Sequence, residues 1–269
     1  MAIQGYYEIH ACACSDVGQV RASNEDSFLV TDLTTGHGLQ HNGALKYLSG
    51  PRGSLFAVAD GMGGAAAGEM ASQLCLETLY DEVLSQMRLV REPSLEVIEN
   101  ILIEAVGAAN RRVFEVGNSR EEYVGMGTTL TTAFELRGIL VIGQIGDSRA
   151  YMLREDGILQ LTRDQSLVAQ KVREGELTQE LARHSPERNV LLQALGVNPS
   201  VELALKNVQV HRDDILLLCS DGLHSQMSAQ EIYEIVTANC GPREACQELV
   251  DFANKRGGPD NITAILIQF

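Results

Sequence analysis

The chain has 269 residues, of which 45% are hydrophobic and 21% are charged. This composition is typical of a globular protein and excludes an intrinsically disordered one. The formal net charge of −15 argues against nonspecific binding to nucleic acid or to an anionic membrane, because both surfaces are negative.

The N-terminal stretch MAIQGYYEIHACACSD lacks the basic and long apolar segments of a signal peptide, and no run of about 18 apolar residues predicts a membrane helix. The six cysteines form no C-x-x-C pair and no zinc spacing, which predicts reduced thiols in a cytoplasmic protein. Cys12 and Cys14 alternate along a strand pattern, so we expect both on one face, as buried free thiols rather than a metal or redox site.

Predicted elements begin with alternating, β-rich runs and continue with helical patterns. Strands are predicted at 9–14, 27–31 and 55–59. Long helical patterns cover 67–87 and 94–116, and Ser94 is a suitable N-cap for the second.

Further strands are predicted downstream at 128–135, 139–146, 149–154 and 158–162. Asp156-Gly157 lies between two of them and indicates a hairpin turn. A polar, mostly helical segment is expected at about 165–189, followed by strands at 201–210 and 215–219. Ser228 and Glu231 form a capping box that opens a helix, a further helix covers about 243–255, and the last strand is NITAILIQF.

Strands joined by tight turns predict antiparallel sheets, and the helices come in pairs between blocks of strands. Together these patterns predict sheets covered by layers of helices, which is an α+β fold. No internal repeat and no interdomain linker is evident in the sequence.

Four acids end or precede strongly apolar strands. Asp60 and Asp221 each end such a strand and are each followed by glycine, Asp147 ends ILVIGQIGD, and Asp260 precedes the last strand. If the four acids converge at one edge of the sheets, they repel one another unless a cation compensates. Because hard divalent cations take oxygen ligands, the sequence predicts a metal pair at Asp60.

Two other patterns compete with this interpretation. The stretch Gly61–Ala66 fits the loose dinucleotide pattern G-x-G-x-x-A, but the acid required about 20 residues later would fall inside a helix. Ser148, Asp221 and His224 imitate the chain order of a serine esterase triad. Ser148 leads into a hairpin rather than a strand-to-helix turn, so the esterase ranks second.

A series of segments in chain order resembles the metal-dependent protein Ser/Thr phosphatases (the PPM or protein phosphatase 2C family), specifically its compact bacterial branch. The segments are SDVGQVRASNEDSF, FAVADGMGGAAAGEMAS, GMGTTLTTA, GQIGDSRAYMLR, LTRDQSLV, RNVLLQALG, DILLLCSDGL and GGPDNITAILI. The resemblance implies a central antiparallel β-sandwich flanked by pairs of helices (α-β-β-α layers), forming a single catalytic domain over 1–269. It also implies a binuclear Mn or Mg centre at one edge.

The resemblance assigns roles by position. Asp60 would bridge both metals, the carbonyl oxygen of Gly61 would bind one, and Asp221 and Asp260 would bind the other. Asp147 would help hold a third, weaker metal.

Two further parts of the centre follow from the segment around NEDS. Glu25 and Asp26 would lie near the metals, through bound waters, and Arg21 would hold the substrate phosphate. Two cations about 3.5–4 Å apart would share a bridging water and lower its pKa, and the resulting hydroxide would attack phosphorus in line, without a covalent enzyme intermediate.

Met62 stands where eukaryotic members of the family carry a histidine that serves as general acid. A metal-bound water is the first candidate for the proton donor, and His184 and His224 are weaker candidates. The donor is therefore left open by the sequence.

The segment at about 165–189 matches a mobile flap beside the family's active site. Arg183 and His184 would touch the protein around the phosphorylated residue. The expected partners are phosphorylated protein substrates of a Ser/Thr kinase. A catalytically inactive relative acting as a regulatory binding module is a further alternative, which the full set of expected ligands disfavours.

Overall fold

The computed structural model describes residues 7–39 and 41–269. The first strands are β1 (Glu8–Asp16), β2 (Asp26–Asp32), β3 (Gly38–Leu39), β4 (Gly43–Leu48) and β5 (Ser54–Met62). Helices α1 (Ala65–Leu89) and α2 (Leu95–Gly117) follow, with a 3₁₀ turn at Glu121–Tyr123.

In the rest of the chain, blocks of strands and blocks of helices alternate, and the chain ends on a strand. The strands of this part are β6 (Gly127–Thr128), β7 (Leu130–Leu136), β8 (Ile139–Ile145), β9 (Arg149–Arg154), β10 (Gly157–Gln160), β11 (Ala204–Gln209), β12 (Ile215–Cys219) and β13 (Ile262–Gln268). The helices of this part are α3 (Leu167–Arg173), α4 (Gln179–Arg183), α5 (Asp221–His224), α6 (Ala229–Ala238) and α7 (Pro242–Lys255).

The strands form two antiparallel sheets. One has the order β10-β9-β12-β13-β1-β4. The other has the order β11-β8-β7-β5-β2-β3, and β6 pairs with the end of β5. The sheets pack face to face through buried aliphatic and aromatic side chains, among them Phe56, Val58, Leu216 and Ile265.

A pair of helices covers the outer face of each sheet. Helices α1 and α2 bury Leu79 and Leu102 against Phe134 of β7. Helices α6 and α7 bury Ile232 and Leu249 against the six-stranded sheet. The α+β prediction and the α-β-β-α layering are confirmed.

Several local predictions are also confirmed. Ser94 caps α2 by accepting a hydrogen bond from the Val97 amide, and Ser228 and Glu231 form the capping box of α6. Strands β9 and β10 pair across the Asp156-Gly157 turn.

Three features differ from the prediction. The segment 165–189 is not mostly helical, because its two short helices, α3 and α4, are separated by turns. The strand expected at 201–210 is limited to Ala204–Gln209. Strand β4 was not predicted, since it is a short edge strand in which partly buried and exposed residues alternate.

Within the described ranges, every helix is too short or too polar to cross a lipid bilayer.

The fold brings several strand ends to one edge of the sandwich. Asp60 lies near the end of β5, Asp221 directly follows β12 at the start of α5, and Asp260 lies just before β13. Asp147 lies in the turn between β8 and β9.

Candidate metal centre

Asp26 and Asp60 face each other across neighbouring strands. They are paired in the antiparallel register of β2 and β5. Asp26 is only 8% exposed, and its Oδ2 accepts a hydrogen bond from Ser220 Oγ at 2.7 Å. Burial is the main effect that raises the pKa of Asp26 to about 7. Hydrogen bonds from Ser220 and Thr263 lower this pKa, and repulsion from Asp221 and Asp260 raises it.

The backbone of Asp60 is held by two threonines. Its amide donates to Thr129 Oγ1 at 3.0 Å, and its carbonyl accepts from the Thr129 amide at 2.9 Å and from Thr128 Oγ1 at 3.0 Å. These bonds fix the position of the residue, so that its carboxylate is presented from a rigid strand end.

The carboxylate of Asp60 lies in the most negative part of the cluster. Burial raises its pKa well above the ordinary value, and four neighbouring acids raise it further. They are Asp26, Asp221, Asp147 and Asp260. The strand ends that carry Asp60, Asp147, Asp221 and Asp260 thus lie together at one edge of the sandwich, as the sequence predicts.

Asp221 directly follows β12 of the six-stranded sheet. Asp147 lies in the turn from β8 to β9, and β9 is paired with β12. Burial and repulsion from Asp260 raise the pKa of Asp221 to about 6. Burial and repulsion from Asp221 raise the pKa of Asp147 to about 8. The carbonyl oxygen of Asp147 lies 3.1 Å from His224 Nε2, which ties the β8–β9 turn to α5.

Asp260 differs from the other acids because it has a cationic partner. Arg21 Nη2 donates to Asp260 Oδ2 at 2.8 Å, and Arg21 Nη1 lies 4.0 Å from Glu25 Oε1. The Arg21 side chain is 44% exposed and therefore also faces solvent. Asn261 anchors this loop by accepting from the Glu25 amide at 2.8 Å and donating to the carbonyls of Val17 and Ser23.

Gly61 and Gly68 let α1 approach β5 closely. A Cβ at Gly61 would lie 2.1 Å from the carbonyl oxygen of Gly68, and a Cβ at Gly68 would lie 1.9 Å from Glu25 Oε2. The buried Glu25 carboxylate thus occupies the space that a side chain at position 68 would fill. Burial raises the pKa of Glu25, which the nearby Arg21 partly opposes.

The donor set tests whether the cluster suits hard cations. Asp26 Oδ1 and Asp221 Oδ1 are buried and have no hydrogen-bond partner. A buried carboxylate oxygen without a partner is costly, and oxygen ligands suit Mg and Mn. The residues therefore fit a pair of divalent cations.

The carboxylates lie near one another, but their oxygens do not converge on a single point. Among the described residues, no three of these acids bring one oxygen each within 4.8 Å of one another. Asp260 is paired with Arg21, and the other acids carry like charges that a bound cation would offset.

The geometry argues against the serine esterase alternative. Ser148 has 0% exposure, and its Oγ shares a 2.8 Å hydrogen bond with Thr129 Oγ1. His224 contacts the Asp147 carbonyl rather than Ser148 Oγ. A nucleophile needs access to substrate and a general base, and Ser148 has neither arrangement here.

The predicted flap segment is held at its two ends. At its start, the Gln165 amide donates to the Gly146 carbonyl at 2.9 Å. The Leu167 amide donates to the Val190 carbonyl at 2.8 Å, and this bond joins the two ends of the segment. His184 is exposed and ends α4. Arg183 lies in α4, but its side chain falls outside the described part of the structure.

Sequence reasoning gave little weight to several residues that support the site. Asp26 was placed near the metals only together with Glu25, although it faces Asp60 directly. Ser220, Thr128, Thr129 and Asn261 were not singled out. Ser220 and Asn261 immediately adjoin the predicted ligands Asp221 and Asp260, and that adjacency was the only available signal.

Comparisons with known proteins agree with this geometry. The family model described as Protein phosphatase 2C matches residues 37–265. The serine/threonine phosphatase stp of Listeria innocua is 35% identical over 260 residues, which cover 97% of this chain and 96% of that protein. The crystal structure of the Mycobacterium tuberculosis serine/threonine phosphatase PstP/Ppp has a TM-score of 0.80 and 34% identity, covering 98% of this chain and 99% of that one.

A further solved structure contains metal. The catalytic domain of PstP in complex with 2 manganese ions has a TM-score of 0.78 and 34% identity, and it covers 97% of this chain and 98% of that one. Similarity at this level extends over nearly the whole chain and includes the strand ends that carry the acidic cluster. The chain therefore belongs to the protein phosphatase 2C family.

Proposed function

We propose that this protein hydrolyses phosphoserine and phosphothreonine in proteins at a binuclear Mn or Mg centre. The observation that carries the proposal is the convergence of Asp26, Asp60, Asp147 and Asp221 with raised pKa values at one edge of the sandwich. Such a cluster binds cations in a family of metal-dependent hydrolases, and the two manganese ions of the PstP structure support the same number here.

The ligand roles come from the resemblance to the family, and the placement of the acids at one edge of the sandwich supports them. Asp60 would bind both metals, the carbonyl oxygen of Gly61 would bind one, and Asp221 and Asp260 would bind the other. Asp147 would help to hold a third, weaker metal, and Glu25 and Asp26 would lie near the metals through bound waters.

When bound, the two cations supply an acidified water and offset negative charge on the phosphoryl group. The chain itself positions the reacting groups. Thr128 and Thr129 hold the Asp60 backbone, and Ser220 orients the Asp26 carboxylate. Arg21, which is half exposed and close to the cluster, binds the phosphoryl oxygens through charge-assisted hydrogen bonds.

His224 is a poor proton donor to the leaving group. Burial first, and the charge of Arg149 second, lower its pKa to about 3, so the imidazole is neutral near pH 7. Its Nε2 contacts the Asp147 carbonyl, which makes it a positioning residue for that turn. Met62 has no proton to give, and the exposed His184 belongs to the flap.

We also propose that residues 1–269 form one catalytic domain in which the segment at about 165–189 is a substrate flap carrying Arg183 and His184. The physiological substrates are phosphoproteins made by a Ser/Thr kinase. The six free cysteines support action in the reducing cytoplasm, and the net charge of −15 disfavours nucleic-acid and membrane partners.

The test is hydrolysis of a phosphoserine peptide and of an acyl ester, each with Mn and with excess chelator. We expect only Mn-dependent phosphate release, which Asp60→Asn abolishes while the far-UV circular dichroism stays unchanged. Asp156→Asn is the matched control, because Asp156 belongs to an exposed Asp-Gly hairpin and should retain full activity. Chelator-resistant activity, or ester hydrolysis lost in Ser148→Ala, would contradict the proposal, and an inactive protein that still binds Mn would indicate a regulatory module.

A further inference from the structure

Three cysteine side chains that are far apart in the sequence meet on the side of the six-stranded sheet that faces α6 and α7. Cys12 and Cys14 lie on β1, and Cys246 lies on α7. Their Sγ atoms all lie within 4.8 Å of one another. The sequence prediction that Cys12 and Cys14 are buried free thiols on one face is confirmed, but Cys246 turns the pair into a cluster.

The three cysteine side chains are buried, and most of their neighbours are apolar. Cys12, Cys14 and Cys246 are 1%, 6% and 0% exposed. Their neighbours include Leu249, Val250 and Leu266. No histidine or carboxylate among the described residues joins the three sulfur atoms within this distance.

The thiols already interact with one another and with few other polar groups. Cys246 Sγ donates to the carbonyl oxygen of Ala264 at 3.3 Å, and Cys14 Sγ lies 3.9 Å from Gln247 Oε1. The three sulfur atoms are mutually close, so one sulfur-bound cation can contact all of them.

A route from solvent reaches the cluster. Cys12 and Cys14 line a surface cavity together with Asn42, Arg243 and Gln247. Arg243 lies one turn before Cys246 on α7, and the same cavity is also lined by Glu244, Glu248 and Asp251, so its lining carries a net negative charge that favours the entry of a cation. The cavity is separate from the acidic cluster, whose residues do not line it.

We propose that Cys12, Cys14 and Cys246 form a binding site for a soft, thiophilic cation, with Cu(I) as the representative ion. Thiolate ligands select soft ions such as Cu(I), whereas a structural Zn site needs four ligands and this group supplies three. The carboxylate centre takes the opposite class of ion, because its donors are all oxygen. The two sites therefore sort hard from soft cations within one chain.

A disulfide fits the arrangement less well. It would use two of the three sulfurs and leave the third without a role. Cys12 and Cys14 are two residues apart on one strand, about 6.6 Å between Cα atoms, which is at the upper end of the range that a disulfide spans.

The experiment titrates reduced, Mn-loaded protein with Cu(I) under anaerobic conditions against bicinchoninic acid as competitor. We expect one tightly held Cu(I) per chain and an X-ray absorption spectrum with three sulfur scatterers around copper. Cys246→Ala should weaken Cu(I) binding by more than the roughly 10- to 100-fold that loss of an outer-shell partner causes. Cys75→Ala and Cys240→Ala should bind as the parent does, since Cys75 is buried on α1 and Cys240 is exposed, both outside the cluster.

Failure to compete with bicinchoninic acid, two sulfur scatterers instead of three, or equal loss in Cys75→Ala or Cys240→Ala would overturn the proposal. The absorption spectrum of the unmodified protein decides the question even if Cys246→Ala does not fold. A disulfide between Cys14 and Cys246 in protein that fails to bind Cu(I) would identify a redox pair instead. None of these readouts depends on phosphatase activity.

Discussion

Arg21 Nη2 lies 2.8 Å from Asp260 Oδ2, so the proposed phosphate-binding cation neutralises one of the proposed metal ligands. Asp260 Oδ1 also accepts a hydrogen bond from the Asn261 amide at 2.9 Å. In the proposed mechanism, metal binding at Asp260 would compete with Arg21 for the carboxylate, and phosphate binding at Arg21 would compete with Asp260 for the guanidinium. A metal bound at Asp260 would therefore free Arg21 for the phosphate, and a phosphate bound at Arg21 would free Asp260 for the metal.

Replacing Arg21 separates these two effects. A charge-assisted hydrogen bond is worth roughly 1.5–3 kcal/mol, and about 1.36 kcal/mol corresponds to a factor of ten in rate. Arg21→Ala should therefore lower kcat/KM on a phosphopeptide by roughly 10- to 100-fold. Mn affinity, measured by calorimetry, should stay equal or rise, because Asp260 loses its competitor. Arg21→Lys should recover part of the activity. Equal kinetics in Arg21→Ala and parent would argue against phosphate contact.

The acidic cluster makes the stability of the metal-free protein depend on pH. The pKa values of Asp221, Asp26 and Asp147 are raised to about 6, about 7 and about 8, so the folded state holds more protons than the unfolded state above about pH 4. The free energy of unfolding therefore falls as pH rises through these values.

Thermal unfolding in chelator should accordingly give a lower Tm at pH 8 than at pH 6. Saturating Mn should remove this fall, because the cation replaces the protons and binds better as they leave. Asp26→Asn should flatten the pH dependence in chelator. A Tm that rises from pH 6 to pH 8 in chelator would show that the cluster is not electrostatically strained.

The position of Gly68 reverses the usual effect of a glycine in a helix. Alanine in place of a helical glycine ordinarily stabilises by about 0.5–1 kcal/mol. A Cβ at Gly68 would lie 1.9 Å from Glu25 Oε2, so Gly68→Ala should displace that carboxylate and lower both Tm and Mn affinity. Gly107→Ala in α2 is the matched control, since the nearest atom to its Cβ is Arg111 Nη1 at 3.5 Å and it should raise Tm. A stabilising Gly68→Ala with unchanged Mn affinity would contradict this account.

Features that depend on a local pattern of residues could be predicted from the sequence. The apolar strands that end in Asp60 and Asp221, the Asp156-Gly157 hairpin and the capping box at Ser228 are all encoded within a few residues. Strand β4 was missed because it is a partly exposed edge strand, and its sequence GALKYL therefore shows no clear alternation of apolar and polar residues.

Long-range pairings could not be predicted from such patterns. The Arg21–Asp260 ion pair joins groups 239 residues apart, and Cys246 lies 234 residues from Cys12. Local spacing carries no information about contacts formed only when β1, β13 and α7 pack together. For the same reason the sequence pattern favoured buried free thiols over a metal or redox site at Cys12 and Cys14.

The polar segment at about 165–189 is tied at its start to the β8–β9 turn by the bond from the Gln165 amide to the Gly146 carbonyl, and its two ends are joined by the bond from the Leu167 amide to the Val190 carbonyl. His184 is exposed at the end of α4. In the proposed flap it would touch the polypeptide around a phosphorylated residue rather than the phosphate. His184→Ala, and equally Arg183→Ala, should therefore lower kcat/KM on phosphopeptides more than on p-nitrophenyl phosphate, because the small substrate has no flanking chain to contact. The measurement is a paired kinetic comparison at saturating Mn, with Arg212→Ala, an exposed arginine on the β11–β12 turn, as the control. Proportional loss on both substrates would mean that the segment supports the metal centre, and no change on either would make these two side chains part of a simple connector.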